Sequence, residues 1–430
     1  MRETYSWSWV ETQAAQTIEV WNGCAARQAR AGSRYNPDQQ KKREQAYDKA
    51  LREVEREAKR SPRTRAERLE AQERITASFA RFSAAALDLP GDAVQLLTGD
   101  FLPVGTRLAR WARRFDESLS MPDIIQACRN AWTACGLQPL LGARVELTPS
   151  ILGYSLLYPY TDNFLDRPDI SAEVKRRFSE RFRERLRGER ISAQNSHEAA
   201  QWALVELIEG QYPRAVHPHV FDCLLAIHRA QQDSVAQLTG GDPCTDPDVL
   251  RMSCAKGGSS VLADACLAHG WLSERESRFA FAWGVLLQLG DDLQDVREDL
   301  ERGSTTLFSR AATQGTPLDA LATQLLCFSE SVGARMDDLP HGTPMLKDLL
   351  RMSWRSLIVG AVADSHSYFT PEFLRETEQN SPFRFEFLRA RRKRLASRQG
   401  LYATLFDAFL EAPEEDDDEL PLPSIELAAV

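Results

Sequence analysis

The chain has no apolar run approaching the length of a membrane span, so no transmembrane segment is expected. It also has no Cys-x-x-Cys pair. Its eight cysteines are scattered, several within apolar helical patterns, which argues against a zinc site or disulfide frame and suits a reducing compartment. A basic excess is missing too. The formal net charge is −9, and without a dominant positive field nucleic acid is not expected as a partner. The opening residues, MRETYSWSWVETQ, lack the basic stretch and apolar core of a secretory signal, so the expected location is the cytoplasm. Alternating strand patterns are scarce, and almost everything periodic repeats every 3.6 residues. These absences point to an all-α fold.

With 430 residues, 43% of them hydrophobic and 27% charged, the chain can build a large core. Residues 38–87 are highly charged and helical in composition, broken only at Ser61-Pro62, and read as a helical hairpin or an arm. Helices are expected near 101–116, 122–137, 195–209, 216–239, 249–269, 273–302, 316–337, 344–368 and 383–410. In LTPSILGYSLLYPYTDNFLD, Thr148 suits an N-cap and Pro149 a first turn, while Pro159 should kink the helix and Pro168 end it. The basic stretch EVKRRFSERFRERLRG buries Val174, Phe178, Phe182 and Leu186 as an amphipathic helix, leaving its arginines as a solvated face. Ser273 with Glu276 makes a capping box, and Gly303 a stop. The division that results is a charged N-terminal extension (1–92), a helical domain (93–410) and an acidic, Pro-rich, disordered tail (411–430).

One segment stands out. QLGDDLQDVREDLERG, residues 288–303, sets six acids against two arginines, with Asp291, Asp292, Asp295, Glu298 and Asp299 largely on one side of a helix. Like charges four residues apart repel, so such a face needs a purpose or much water. The spacing alone is a poor signal: DxxxD occurs five times, starting at Asp88, Asp162, Asp242, Asp291 and Asp295, and the copies at Asp88 and Asp242 contain prolines in loops. YTDNFLD and LGDDLQD share something further, since each places acids at the C-terminal end of an otherwise apolar helix. There they meet the negative end of the helix dipole, which a cation must compensate. Alone, either patch is ordinary solvated surface. Two such helices facing each other would make an apolar well with a carboxylate rim, which suits Mg²⁺ bridging carboxylates to phosphates.

The same residues resemble a known group. QLGDDLQDVREDLERG resembles the second aspartate-rich motif of trans-isoprenyl diphosphate synthases and the corresponding segment of squalene and phytoene synthases. YTDNFLD resembles the first DxxxD of that superfamily, and SCAKGGSSVLADACLAHG its Lys-containing diphosphate-binding helix. The chain thus resembles the class I isoprenoid (terpenoid) synthases over about residues 145–310. It lacks the upstream Gly-Gly-Lys and the Arg-Arg-Gly of chain-elongating enzymes, the Asn-Ser-Glu motif of plant and fungal cyclases, and the C-terminal Arg-Tyr of microbial ones.

The resemblance implies a helical bundle around a central apolar cavity and a Mg²⁺-dependent terpene synthase or cyclase. Its substrate would be a prenyl diphosphate, with up to three Mg²⁺ ions. A head-to-head or chain-elongating prenyltransferase and a non-catalytic helical scaffold are the alternatives, and a homodimer is left open. By the same resemblance Asp162 and Asp166 form the first metal cluster and Asp291, Asp292 and Asp295 the second, with Asp299 a further metal ligand. Asp169, Glu298 and Glu301 are surface residues. Lys256 is the expected diphosphate cation, with Gly257 and Gly258 letting backbone approach phosphate, and Arg251 assisting. One of Lys175, Arg176 and Arg177 could also reach a phosphate. Tyr158, Tyr154 and Trp283 would line the cavity, Gly284 would leave room for a chain, and Gln288 would orient diphosphate or water. The histidines, His217 and His219 included, are given no role.

Overall fold

The computed structural model describes residues 4–25, 32–60, 62–167, 169–239, 245–410, 420, 422 and 423, with backbone only at 166, 235–239, 408 and 409. The side chain of Asp166, Pro168, Asp242 and residues 411–419 of the acidic tail therefore lie outside it. Among the described residues every regular element is helical. In chain order they begin with α1 (Trp7–Cys24), α2 (Pro37–Arg60), α3 (Arg65–Leu87) and α4 (Gly91–Leu96), which passes through a π-turn into α5 (Leu102–Phe115). Then come α6 (Met121–Leu140), α7 (Pro149–Asp166), α8 (Ala172–Arg187), α9 (Ser196–Gln211), α10 (Pro218–Thr239), α11 (Asp246–His269) and α12 (Glu274–Gln294). The rest are α13 (Val296–Arg302), α14 (Leu307–Thr313), α15 (Asp319–Asp337), α16 (Pro344–Asp364), α17 (Pro371–Glu378), α18 (Phe385–Ser397) and α19 (Gln399–Leu410). No helix among the described residues is long and apolar enough to cross a membrane.

Most local signals act where expected, although Val174 of the expected buried stripe is exposed in the first turn of α8, and only Phe178, Phe182 and Leu186 of that stripe are buried. Thr148 accepts the Ile151 amide at 3.4 Å at the entry to α7, and Ser273 and Glu276 cap α12 reciprocally. Gly303 closes α13 in the left-handed region at φ +73°. The expected 273–302 helix is divided at Asp295, however, where φ −96° and ψ 10° leave the helical range between α12 and α13. A second departure concerns the N-terminus. Val10, Ala14, Trp21 and Cys24 lie on one buried face of α1, which packs on α11 and α15. The first helix thus belongs to the main core, and only α2 and α3 form an appended hairpin.

That hairpin is held by charge. Basic α18 and its flanking residues meet the acids on one face of α2: Arg384 bonds Glu44 at 2.9 Å, Arg391 bonds Asp48 at 2.6 Å, and Arg394 and Arg398 converge on Glu55 at 2.6 and 2.7 Å. Burial alone would raise the Glu55 carboxyl, but hydrogen bonds from Arg394 and Tyr402 and the two arginine charges carry it below its ordinary value. Glu55→Ala removes the shared acceptor of these partly exposed arginines and should cost about 1–2 kcal/mol, the scale of lost hydrogen bonds to a charged group, read by denaturant unfolding.

At the centre of the bundle lies α11, buried on nearly every side and packed by α12, α10, α6, α1 and α7. Small residues let it sit this deep. Gly257 and Gly284 meet where α11 crosses α12, so closely that a Cβ on Gly284 would stand 2.0 Å from the Gly257 carbonyl oxygen. A Cβ on Gly258 would fall 2.4 Å from the Phe281 ring. These glycines therefore serve helix packing. Gly284 opens no room for a chain, and the backbone at Gly257 and Gly258 faces a neighbouring helix and not an open phosphate site.

Candidate active site

The last turn of α12, α13 and the loop after Gly303 fold back on α11 to enclose an acidic pocket of about 220 Å³. Asp291, Asp292, Asp295, Asp299, Lys256 and Gln288 line it. Sequence reading missed Ser234, Met252, Ser253, Ser304, Thr305 and Thr306, which complete the lining. Ser253 was legible, since it sits three residues before Lys256 on the same face of α11. The Ser304–Thr306 loop is there because Gly303 turns the chain sharply, so that the Ser304 amide donates to the Asp299 carbonyl at 2.8 Å.

Asp292 is the innermost carboxylate. It accepts Ser253 Oγ at 2.9 Å and Gln288 Nε2 at 2.8 Å, which fixes its orientation. Burial pushes its pKa up to about 7, with Asp299 adding to the rise while the two hydrogen bonds and Lys256 oppose it. Asp299 is pushed up to about 6 by burial and by Asp295, against the Thr306 hydroxyl. Asp295 is raised by burial and by Glu298. Asp291 stands at the mouth with Arg129 of α6 at 3.5 Å; withdrawal from water and Asp295 raise it, while Arg129 and Lys256 pull it down. All four acids are thus harder to ionise than free carboxylates, chiefly because burial strips their water and secondarily because neighbouring carboxylates repel. Among the described residues, no three His, Cys, Asp or Glu side chains converge closely enough to hold a metal ion alone.

Asp162 lies elsewhere. With Tyr154 and Tyr158 it lines a narrow apolar pocket of about 60 Å³ between α7, α8 and α10. Gln231 Nε2 donates to Asp162 Oδ1 at 3.0 Å. The two pockets are linked by one face of α11, where Ser253, Lys256 and Ser260 follow each other at i, i+3 and i+7. Ser253 bonds Asp292, Lys256 lines the acidic pocket, and Ser260 Oγ bonds the Tyr158 hydroxyl. A prenyl chain does not fit 60 Å³, so the expected central cavity is not open at this point.

His228 closes the far side of the narrow pocket, donating through Nε2 to the Ser179 carbonyl at 3.0 Å. Burial lowers its pKa from 6.5 to about 4. The unfolded chain therefore takes up this proton first, and stability should fall as pH drops through that window, by up to about 3 kcal/mol. Equilibrium unfolding at pH 7 and pH 4 checks this, and His228→Gln should lose less stability on acidification than the wild type.

Two expected site residues are not brought to either pocket. Arg251 is exposed and paired with Asp248 at 2.8 Å, one turn of α11 away, because the helix aims position 251 outward. Trp283 is buried between α6, α12 and α16 against Phe279 and Trp354, with ring centroids at 5.7 and 5.4 Å. It is core packing. Asp169 is a surface residue bonded to Arg167, and Arg176 is spent on Glu173 and Glu180 at 2.7 Å each. The chain matches no known family model, no curated protein and no solved structure.

Proposed function

We propose that this chain is a Mg²⁺-dependent enzyme with a class I isoprenoid synthase-type bundle, which ionises a prenyl diphosphate, releases pyrophosphate and steers the carbocation as a terpene cyclase. The observation that carries the proposal is the acidic pocket itself: four carboxylates, all raised, gathered around one lysine and a ring of hydroxyls. Its volume of about 220 Å³ suits a compact head group more than a hydrocarbon, since drug-sized ligands occupy about 300–1,000 Å³.

The donor set fits magnesium. Oxygen ligands predominate, and Mg²⁺ commonly takes one or two carboxylates and completes its shell with water and substrate phosphate, which agrees with a cluster unable to hold a metal alone. Asp291 with Asp295, or Asp295 with Asp299, each pair one turn apart, would hold it, with Asp292 behind them. Bound there, Mg²⁺ supplies Lewis-acid stabilisation of the diphosphate leaving group. Lys256 contributes the chain's own positive charge to the diphosphate, and Ser253 and Gln288 keep Asp292 aligned. Tyr154 and Tyr158 offer ring faces, each worth about 0.5–2 kcal/mol to a cation. For the hydrocarbon to reach them the narrow pocket must widen on binding. Asp162 and Asp166 remain the proposed first cluster.

Incubation with Mg²⁺ and prenyl diphosphates of several lengths tests this. A cyclised hydrocarbon supports the cyclase. A doubled carbon skeleton, or elongation with isopentenyl diphosphate, assigns the same pocket to a prenyltransferase. The narrowness of the Asp162 pocket favours one further reading, a scaffold that kept the bundle without the chemistry. Absence of turnover with every chain length, and of Mg²⁺-dependent diphosphate binding, would establish it.

A further inference from the structure

Beside the Asp162 pocket, with which it shares Gln232, lies a polar pocket of about 470 Å³ built by α8, α10 and residues 5–7. Arg183 and Arg187 of α8 reach it from positions four apart, and Arg229 of α10 joins them. Two like charges at that spacing repel on a bare helix. Neither Arg183 nor Arg187 has an ion pair within 4 Å among the described residues, although their neighbours on α8 are well paired: Arg181 with Glu198 at 2.8 Å and Arg185 with Glu209 at 2.6 Å. Arg229 stacks over Trp7 at 4.2 Å, which fixes its guanidinium at the pocket wall, and among the described residues its carboxylate partner, Asp233, is a distant 3.9 Å away. Asp222 and Asp233 also line the pocket, so three arginines face two carboxylates there, and neither carboxylate forms an ion pair with Arg183 or Arg187 among the described residues.

We propose that this pocket is an anion site for a phosphate-bearing small molecule, bound through Arg183, Arg187 and Arg229 without a metal. Guanidinium groups present fixed donor pairs that match phosphate oxygens, and several of them together favour a multiply charged group over a carboxylate. The pocket exceeds the room a bare phosphate needs, and Trp7, Leu225 and Ala226 supply apolar wall for the rest of the ligand. Gln232 lines both this pocket and the Asp162 pocket, so the two sites share a wall. The arginines of α8 are therefore not uniformly a solvated face. The inference is independent of the chemistry proposed for the acidic pocket.

Calorimetric titration of the full chain with sodium pyrophosphate in the presence of EDTA tests it, since EDTA silences any metal-dependent site. The expected result is saturable binding that weakens at least tenfold in an Arg183→Gln/Arg187→Gln variant and is unchanged in Asp291→Asn. Both arginines are exposed, so the variant should melt like the wild type. Absence of saturable binding in EDTA, or binding that survives the double substitution, would overturn the proposal. Equal binding of acetate would overturn the phosphate class. Co-sedimentation with phosphatidylglycerol vesicles without binding of soluble pyrophosphate would assign the arginines to a lipid surface and overturn the small-molecule ligand.

Discussion

Asp291→Asn should reduce Mg²⁺-dependent release of pyrophosphate from a prenyl diphosphate by about 10²–10³-fold, the usual loss when one preorganised electrostatic contact to a developing charge is removed. The fold should not suffer. Asp291 is held chiefly by Arg129 at 3.5 Å, an exposed pair worth little, while it repels Asp295 one turn away. Removing the charge relieves a cluster whose members all resist ionisation, so the thermal midpoint should stay level or rise. A residue whose loss abolishes activity but leaves or improves stability is functional. If Asp291→Asn instead destabilises the protein and leaves turnover unchanged, the acidic pocket is structural.

Gly284→Ala should have the opposite profile and the largest effect on stability of any single methyl group considered. Its Cβ would meet the Gly257 carbonyl oxygen at 2.0 Å, the Gly257 carbonyl carbon at 2.7 Å and the Gly258 Cα at 3.1 Å. All three are backbone atoms and cannot rotate away. The two central helices must separate, and the cost should reach about 3 kcal/mol or more, the upper range for overpacking a core. Because Lys256 and Gln288 sit beside this crossing, activity should fall along with stability. Gly360→Ala is the control. Nothing lies within 4 Å of its Cβ, so it should be neutral or stabilising by up to about 1 kcal/mol. Denaturant unfolding of the two variants side by side separates crowding from mere loss of glycine flexibility.

The sequence made the helical class and most helix ends readable, because caps and stops are local: Thr148, Ser273 and Gly303 act within four residues of themselves. It made the second acid cluster readable for the same reason, since Asp291, Asp292, Asp295 and Asp299 need only one helix and its continuation to gather. What escaped depends on contacts between distant segments. Arg129 meets Asp291 from α6, and Gln231 meets Asp162 from α10; neither carries a mark of that role in its own neighbourhood. Trp283 and Gly284 were misread because position along a helix fixes the face but not what the face meets. Gly284 meets another glycine, and Trp283 meets Trp354. The charged stretch 38–87 looked self-contained because its partner, the RARRKR run of α18, lies more than 300 residues later.

The central claim is that the acidic pocket holds a metal–diphosphate group, and a crystal soaked in Mg²⁺ and pyrophosphate tests it most directly. The account predicts metal density in the acidic pocket beside at least two of Asp291, Asp295 and Asp299, together with diphosphate density near Lys256. Diphosphate found only among the arginines of α8, or an acidic pocket occupied by water alone at saturating Mg²⁺ and pyrophosphate, would contradict it.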